Sequence, residues 1–543
     1  MRPLEATRAE RWERLRTTEY DVLVVGGGIT GAGVALEAAR AGLSVALVEA
    51  RDYAWGTSSR SSKMVHGGLR YLQQAQVHVT LESVRERERL MREAPGLVRP
   101  LGFLMAVYAE HRERRASYAA GLTVYDALAR KRLHRYHDAS AFGMLVPHLR
   151  REGLIGGFSY VDAQTDDARL TLRVLQDARA AGADVVNYVR VTGLAQRRGA
   201  VCGASVRDEL SEAEVDVRAR VVVNATGACT DALRREVSGA GVVRPLRGSH
   251  LVFPSSVFPV AQAVAFQHPL DGRNVFVHPW DGHVLVGTTD LDHDESLQRE
   301  PRMSPHEASY LMAGVAYAFP GLPLDLRSAT AAWAGVRAVV GSGKRDPSRE
   351  SRDALLLSER GLVSVTGGKL TTFRATSRRV LKHITHLLGR PAHPARGPYF
   401  EAAGALPEPC PLPGPVVERL AGAFGPRLNA VLDCPSVDHD VIPGTPYTWA
   451  EVRYAARHED VQHLEDLLLR RVRVGFVLRD GGEPLLPRVR AVAQHALGWS
   501  DARWAAEERA YLTTWRTSYA VPDPNDVPDW RIVLARREAE LTR

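Results

Sequence analysis

The sequence predicts an α/β fold, α+β overall, with a parallel-sheet domain, an antiparallel-sheet domain and a C-terminal helical domain. Three observations predict it. The apolar β-branched run DVLVV at 21–25 ends in glycines, and a helical pattern and a second apolar run follow it. That order is a βαβ unit, which implies parallel strands. From about 243 to 290 the pattern becomes strand-like and aromatic, in HLVFPSSVF, NVFVHPW and HVLVGTTD, as in an antiparallel sheet. Beyond the proline-dense linker ALPEPCPLPGP at 405–415, apolar residues recur at helical spacing.

The elements follow in order. GITGAGVALEAARAGL reads as a helix that stops at Gly42, and SVALVEA as the second buried strand. VTLESVRERERLMRE at 79–93 is helical, and Pro95 and Gly96 end it. Residues 167–181 form another helix, closed by Gly182, and ADVVNYVRV then reads as one strand. ARVVVNATGA at 219–228 is a further buried strand running into a Gly turn. The segment TWAEVRYAARHEDVQHLEDLLLRRVRVGFVL is helical in pattern, and VPDPNDVPDW at 521–530 is again rich in proline. No internal repeat is evident. The expected organisation is an N-terminal extension over 1–19 and two interleaved domains over 20–400. The antiparallel part lies mainly at 78–165 and 240–335. A helical domain over 401–520 and a tail over 521–543 complete the chain.

Composition bounds the function. The chain has 543 residues, 45% hydrophobic and 25% charged, which fits a soluble globular protein with a sizeable core. A net charge of +8 leans toward anionic partners. Basic residues do not interleave with aromatic platforms, which argues against nucleic acid. Cys202, Cys229, Cys410 and Cys434 form no CxxC pair and no metal-ligand spacing, so no metal is expected and a reducing compartment is. The N-terminus has no apolar core of a signal peptide. No run reaches about 18 apolar residues, so any membrane contact is peripheral. The basic runs HRERR at 111–115 and RKRLHRYH at 130–137 suit acidic headgroups or a solvated charged face. Trp12 and Leu15 are candidates to lie on a membrane surface.

The glycine-rich turn carries the first chemical signal. Gly26, Gly28 and Gly31 fit G-x-G-x-x-G between a strand and a helix. Gly26 permits the tight turn, Gly28 lets backbone approach a pyrophosphate, and Gly31 lets helix and strand pack. The helix N-terminus then faces negative charge. Glu49 ends the second strand, where an acid binds a ribose hydroxyl and repels a 2′-phosphate. NATGA at 224–228 repeats the strand-to-turn design, and TGGKLTTFR at 366–374 is a third Gly turn leading into a helix. Three such turns spread along the chain favour FAD over NAD.

The stretch VVGGGITGAGVALEAARAGLSVALVEARDYAWGTSSRSSKMVHGGLRYL resembles the N-terminus of FAD-dependent glycerol-3-phosphate dehydrogenases, which share a fold with glycine and D-amino-acid oxidases. The similarity continues through YVDAQTDDARL, VNATGACTD, RGSHLVF, GTTD, AGVRAVV and TGGKLTTFR to ARHEDVQHLEDLLLRRVRVG. It covers most of the chain from about 20 to 500, and SSKMVHGGLRYL is its most discriminating block.

The resemblance implies a Rossmann-like FAD-binding domain with non-covalent FAD. It implies oxidation of sn-glycerol 3-phosphate to dihydroxyacetone phosphate, with a hydride passing from C2 to flavin N5. Electrons then go to ubiquinone or menaquinone. It also implies a cytoplasmic homodimer held peripherally, as a monotopic protein, on the inner face of the cell membrane. For the flavin it implies Gly26, Gly28, Ile29, Thr30 and Gly31, then Glu49 and Ala50. Thr57, Ser58, Ser59, Ser62, Lys63, His66, Gly67, Gly68 and Leu69 follow. Later contributions are Ala225, Thr226, Gly227, Gly335, Arg337, Gly368, Lys369, Leu370 and Thr371.

For the substrate the resemblance places Arg70, Arg337 and Lys369 at the pocket. A phosphate dianion needs several fixed cations, and arginine binds it bidentately. Tyr71 can donate to phosphate, and His250 can bind the substrate hydroxyl or help take its proton. Arg337, His250 and Lys369 are the catalytic candidates, and the cationic cluster of Arg70, Arg337 and Lys369 favours the alkoxide that precedes hydride transfer. His66 is either structural or flavin-adjacent, and Asp162 and Asp167 either order loops or cap a helix. Where the family shows Arg-Pro-Leu this chain has Arg337, Ala338 and Val339. The arginine is kept and the proline is not. An oxidase that passes electrons to O2 and makes peroxide shares this pocket. An amino-acid oxidase on the same fold needs only one carboxylate anchor.

Overall fold

The computed structural model describes residues 6–541 apart from 70–76, 112, 239–240, 342, 344–349, 351–352, 392, 408–409 and 411. Arg70, Tyr71 and Arg112 therefore lie outside the described residues. The expected mixed fold is borne out: a parallel sheet, an antiparallel sheet and C-terminal helices.

The first sheet grows from the βαβ unit. Strand Glu19–Val25 pairs in parallel with Val45–Val48 on one side and with Glu214–Asn224 on the other. Asp184–Val186 and Leu362–Thr366 extend it in parallel on either side, and Leu355–Glu359 closes the second side as an antiparallel edge strand. Each central strand is a continuous apolar run because both faces are covered. Helices Ile29–Arg40, Asp167–Ala180 and Phe373–Leu388 cover one face through a shared apolar cluster. The other face holds a second cluster, which includes Val201, Ala204 and Leu15.

The second sheet runs in the order Leu291–Asp292, Val243–Pro254, His283–Gly287, Asn274–Trp280, Ala263–Gln267, Val98–Tyr108, Leu154–Thr165 and Met64–Val65. Ala331–Val340 pairs along the length of Val243–Pro254. The pairs are antiparallel except that Ala263–Gln267 runs parallel to Val98–Tyr108. One of its faces packs on helix Pro305–Ala318. Trp280 and Trp333 on the other face join the core of the C-terminal helices.

Three expectations are corrected. ADVVNYVRV is not one strand. It breaks after Val186, because Tyr188 takes a left-handed backbone, φ 55°, and its amide bonds Arg51 O. The chain leaves as Val189–Arg197 into an antiparallel meander with Ala200–Asp208 and Glu214–Asn224. The helical pattern at 448–478 is also interrupted. Helix Trp449–His458 ends before Glu459 and Asp460, and a π-turn spans Leu467–Arg471. The carboxylates and arginines of this stretch turn inward to ion pairs that a continuous amphipathic helix would point outward.

The third correction concerns the N-terminal segment. It forms helix Arg8–Thr17, begun by a Thr7–Glu10 capping box. Leu15 is fully buried and Trp12 packs on the same cluster. Arg8, Arg11 and Arg14 pair with Asp208, Asp460 and Asp184. Its apolar side thus faces the protein and not a membrane. In the basic runs, Lys131 pairs with Glu88, His134 with Asp126, and the Arg115 guanidinium lies 4.1 Å over the Tyr136 ring.

The C-terminal domain is tied to the first sheet by buried charge. Arg471 grips Asp52 with two bonds of 2.5 and 2.7 Å, and Arg470 adds a third of 2.5 Å. Asp52 is fully buried. Burial opposes its ionisation, but the Arg471 and Arg470 guanidiniums hold the carboxyl below the usual carboxylate range. Removing one charge from such a set leaves the others desolvated and unpaired. Asp52→Asn is expected to destabilise the protein by about 3–5 kcal/mol in denaturant unfolding. Removing the exposed Arg16–Glu13 pair is expected to change stability by less than about 1 kcal/mol.

Candidate active site

The three glycine turns, distant in sequence, meet at one cavity of about 730 Å³. Gly26 has φ 114°, and a Cβ there would lie 2.6 Å from Ala225 O, so the first turn nests against the second. A Cβ on Gly31 would lie 1.9 Å from Gly26 O, so only glycine lets the helix start this close to the strand. Gly28 opens the helix, and the Ile29 amide behind it donates to Ser58 Oγ at 3.0 Å. Gly367 and Gly368, both with positive φ, form the third turn ahead of helix Phe373–Leu388.

Glu49 lines the cavity with its oxygens anchored, one accepting from the Gly27 amide at 2.7 Å and the other from Arg51 N at 2.9 Å. Burial pushes its carboxyl up and the two amides pull it down, burial prevailing. The expected Ile29, Thr30, Ala50, Thr57, Ser58, Ser62, His66, Gly68, Leu69, Ala225, Thr226, Gly227, Gly335, Leu370 and Thr371 line the same cavity. Its shape suits a dinucleotide: bare backbone at the turns, a helix N-terminus, and an acid at the strand end.

Gly31, Ser59, Lys63 and Gly67 lie behind that wall. Lys63 is fully buried, with Nζ 2.7 Å from Asp167 Oδ1 and 2.5 Å from Ser59 O, and aromatic rings of Trp280, Trp333 and Phe476 surround it. Burial and the nearby Arg473 push its ammonium down to about 7. Asp167 Oδ2 also accepts from Ser61 N and Oγ. Asp162 Oδ1 accepts from the Gly67 amide, Tyr125 OH and Arg87. Both carboxylates therefore order the loop. The helix cap is Asp166, which accepts from Arg169 N.

His250, Arg337 and Lys369 share the cavity wall. His250 stacks on Trp333 at 5.1 Å and shares a 2.8 Å bond from Nε2 to Ser62 Oγ. A Cβ on Gly287 would lie 2.3 Å from the imidazole, and one on Gly248 2.4 Å from the Arg337 guanidinium. Two glycines thus make room for these two side chains. Burial, with Arg337, Lys63 and His278 nearby, holds His250 well below the ordinary imidazole range, so it is neutral.

Sequence reasoning passed over several lining residues. Trp55, Arg273, Phe276 and His293 all face the cavity. Arg273 sits in DGRN between two strands and reads only as a turn. Asp290, within GTTD, is buried and accepts from Arg337 Nη1 at 2.7 Å. Among the described residues no helix is long and apolar enough to cross a membrane, and no cluster suits a metal ion.

Comparison with known proteins agrees with this geometry. Residues 21–374 match the family described as FAD dependent oxidoreductase, and residues 376–504 the C-terminal domain of alpha-glycerophosphate oxidase. Over 375 residues the chain is 41% identical to the aerobic glycerol-3-phosphate dehydrogenase of Bacillus subtilis, spanning 68% of this chain and 66% of that protein. It is 36% identical over 565 residues to glycerol-3-phosphate dehydrogenase 2 of Mycobacterium tuberculosis, spanning 99% and 95%. The solved glycerol-3-phosphate dehydrogenase from Bacillus halodurans, complexed with FAD, aligns with a TM-score of 0.76 at 27% identity, over 94% of this chain and 97% of that one.

Behind the cavity, burial pushes His278 down to about 4. The unfolded chain binds a proton near 6.5 that the folded one refuses, so this residue's contribution to stability is present above pH 6.5 and is lost toward pH 4. Wild type is expected to lose about 2 kcal/mol more than His278→Gln between pH 7 and pH 5, measured by denaturant unfolding at both pH values.

Proposed function

Because this chain belongs to the FAD-dependent oxidoreductases that carry the C-terminal domain of alpha-glycerophosphate oxidase, we propose that it oxidises sn-glycerol 3-phosphate to dihydroxyacetone phosphate and delivers the electrons to a membrane quinone. It is an FAD-dependent enzyme. The observation that carries the substrate reading is the meeting of Arg337, Lys369 and a neutral His250 on the wall of one dinucleotide-shaped cavity.

The turns at Gly26–Gly28, Ala225–Gly227 and Gly367–Gly368 would hold FAD, with Glu49 at its ribose. Bound there, FAD supplies the hydride acceptor. Arg337 and Lys369 fix the substrate's negative charge and favour the alkoxide form of its C2 hydroxyl. His250 is uncharged, so its imidazole can bind the substrate hydroxyl by a hydrogen bond. Ser62 orients that imidazole through Nε2. Gly248 and Gly287 leave room for the Arg337 guanidinium and the His250 imidazole where a Cβ would collide with them. Arg70 and Tyr71 complete the phosphate site by family resemblance.

The acceptor is a quinone in this reading because relatives alike along much of the chain are named dehydrogenases. The second reading, O2 reduction to peroxide, draws on the oxidase for which the C-terminal domain is named. The quinone reading carries a cytoplasmic, peripheral homodimer on the inner membrane face, with the basic runs at 111–115 and 130–137 toward acidic headgroups.

Anaerobic addition of glycerol 3-phosphate to the purified holoenzyme is expected to remove the flavin absorbance near about 450 nm, while glycerol leaves it. A short-chain quinone should restore it faster than air. No loss of absorbance rejects the substrate assignment, and stoichiometric peroxide with no quinone effect establishes the oxidase reading.

A further inference from the structure

We propose that Arg273 is a second arginine of the substrate-anion site, and that Asp290 is the positioning residue that holds it beside Arg337. This rests on the proposed function and extends it to residues not yet given a role. The Asp290 side chain is fully buried, and its two oxygens serve two different arginines. Oδ1 accepts from Arg337 Nη1 at 2.7 Å, and Oδ2 pairs with Arg273 Nη2 at 3.2 Å. Arg273 Nη1 also donates to the Asp290 carbonyl at 3.2 Å. Because both guanidiniums sit on one carboxylate, they are neighbours, although one comes from strand Ala331–Val340 and the other from the turn before Asn274–Trp280.

Both line the cavity, and both remain partly open, at 22% and 28% side-chain exposure. One carboxylate between two guanidiniums leaves a net positive charge facing the cavity. Two of the five N–H groups of Arg273 are used on Asp290, and the rest can reach a ligand. A tetrahedral dianion suits such a pair, since each planar fork can meet two oxygens. A carboxylate offers fewer oxygens and a neutral polyol offers no charge. The pair therefore favours a phosphate ester over its carboxylate or uncharged analogues. The turn itself does not need the Arg273 side chain. It is closed by the His268 amide on Arg273 O at 2.7 Å and by Arg273 N on Asp271 Oδ1 at 3.1 Å.

The test uses holoenzyme carrying Arg273→Ala, Arg273→Lys or Asp290→Asn. Steady-state turnover of glycerol 3-phosphate and calorimetric titration of inorganic phosphate are both read. Arg273→Ala is expected to raise KM and the phosphate Kd about 10- to 100-fold, the range for lost hydrogen bonds to a charged group. Its kcat should fall less than about threefold, with thermal midpoint unchanged, because the turn survives. Arg273→Lys should recover part of the loss. Asp290→Asn should lower kcat as well, because Arg337 loses its anchor. KM and phosphate affinity within twofold of wild type in Arg273→Ala would overturn the inference. If wild type itself fails to be reduced by glycerol 3-phosphate, the functional reading falls, and the phosphate titration alone judges the anion site.

Discussion

The Asp167 carboxylate accepts from the Ser61 amide and hydroxyl with one oxygen and from the Lys63 ammonium with the other, and Arg473 approaches it to 3.5 Å from the C-terminal domain. Asp167, Lys63 and Arg473 are fully out of water. Desolvating this many charges is unfavourable unless each finds a partner. The chain meets that condition by bringing helix Asp167–Ala180, loop 57–69 and the segment after the π-turn to one point. Lys63 holds φ 57°, a left-handed conformation costing a non-glycine residue roughly 1–2 kcal/mol. The loop accepts it because the ammonium is fixed on Asp167 and the Ser59 carbonyl. Ser62 is thereby presented forward to His250 while Lys63 points back.

Charge behind the wall and charge on it then act together. His250 stays neutral because it is buried and because Arg337, Lys63 and His278 stand around it. A neutral imidazole keeps a nitrogen lone pair that can accept a hydrogen bond, whereas a charged one does not. The negative groups closest to the cavity's cations are themselves committed: Asp290 to Arg337 and Arg273, Asp167 to Lys63. The wall therefore keeps a positive surplus, which is what an anionic substrate requires. The C-terminal domain is part of this site without lining it, since Arg470 and Arg471 on Asp52 and Arg473 near Asp167 anchor the loop from behind.

The sequence made legible what local periodicity and turn chemistry control. The βαβ unit, Glu49 at the strand end and the helix closed by Gly182 all follow from residues near one another in the chain. The three glycine turns were legible as turns, and their meeting at one cavity agrees with reading them together. The break at Tyr188 was not legible, because its left-handed backbone is stabilised by Arg51, far away in sequence. The interrupted helix at 448–478 has the right apolar spacing, and only the inward ion pairs of Glu459, Asp460 and the arginines reveal why it must break. The resemblance implies Lys63 at the flavin, and the fold turns it away to Asp167. Arg273 looks like a hairpin residue until Asp290 places it beside Arg337. Long-range pairing of charge is what single-sequence periodicity does not encode.

A double-mutant cycle tests whether the buried Lys63–Asp167 pair shapes the flavin site. Lys63→Met, Asp167→Asn and the double variant would be compared by the dissociation constant for FAD. Each single change is expected to weaken FAD about tenfold or more by leaving its partner's charge or bond unmet. The double variant should lose far less than the product of the two, a coupling of at least about 1 kcal/mol. Strictly multiplicative losses, or FAD affinity unchanged in both single variants, would contradict it.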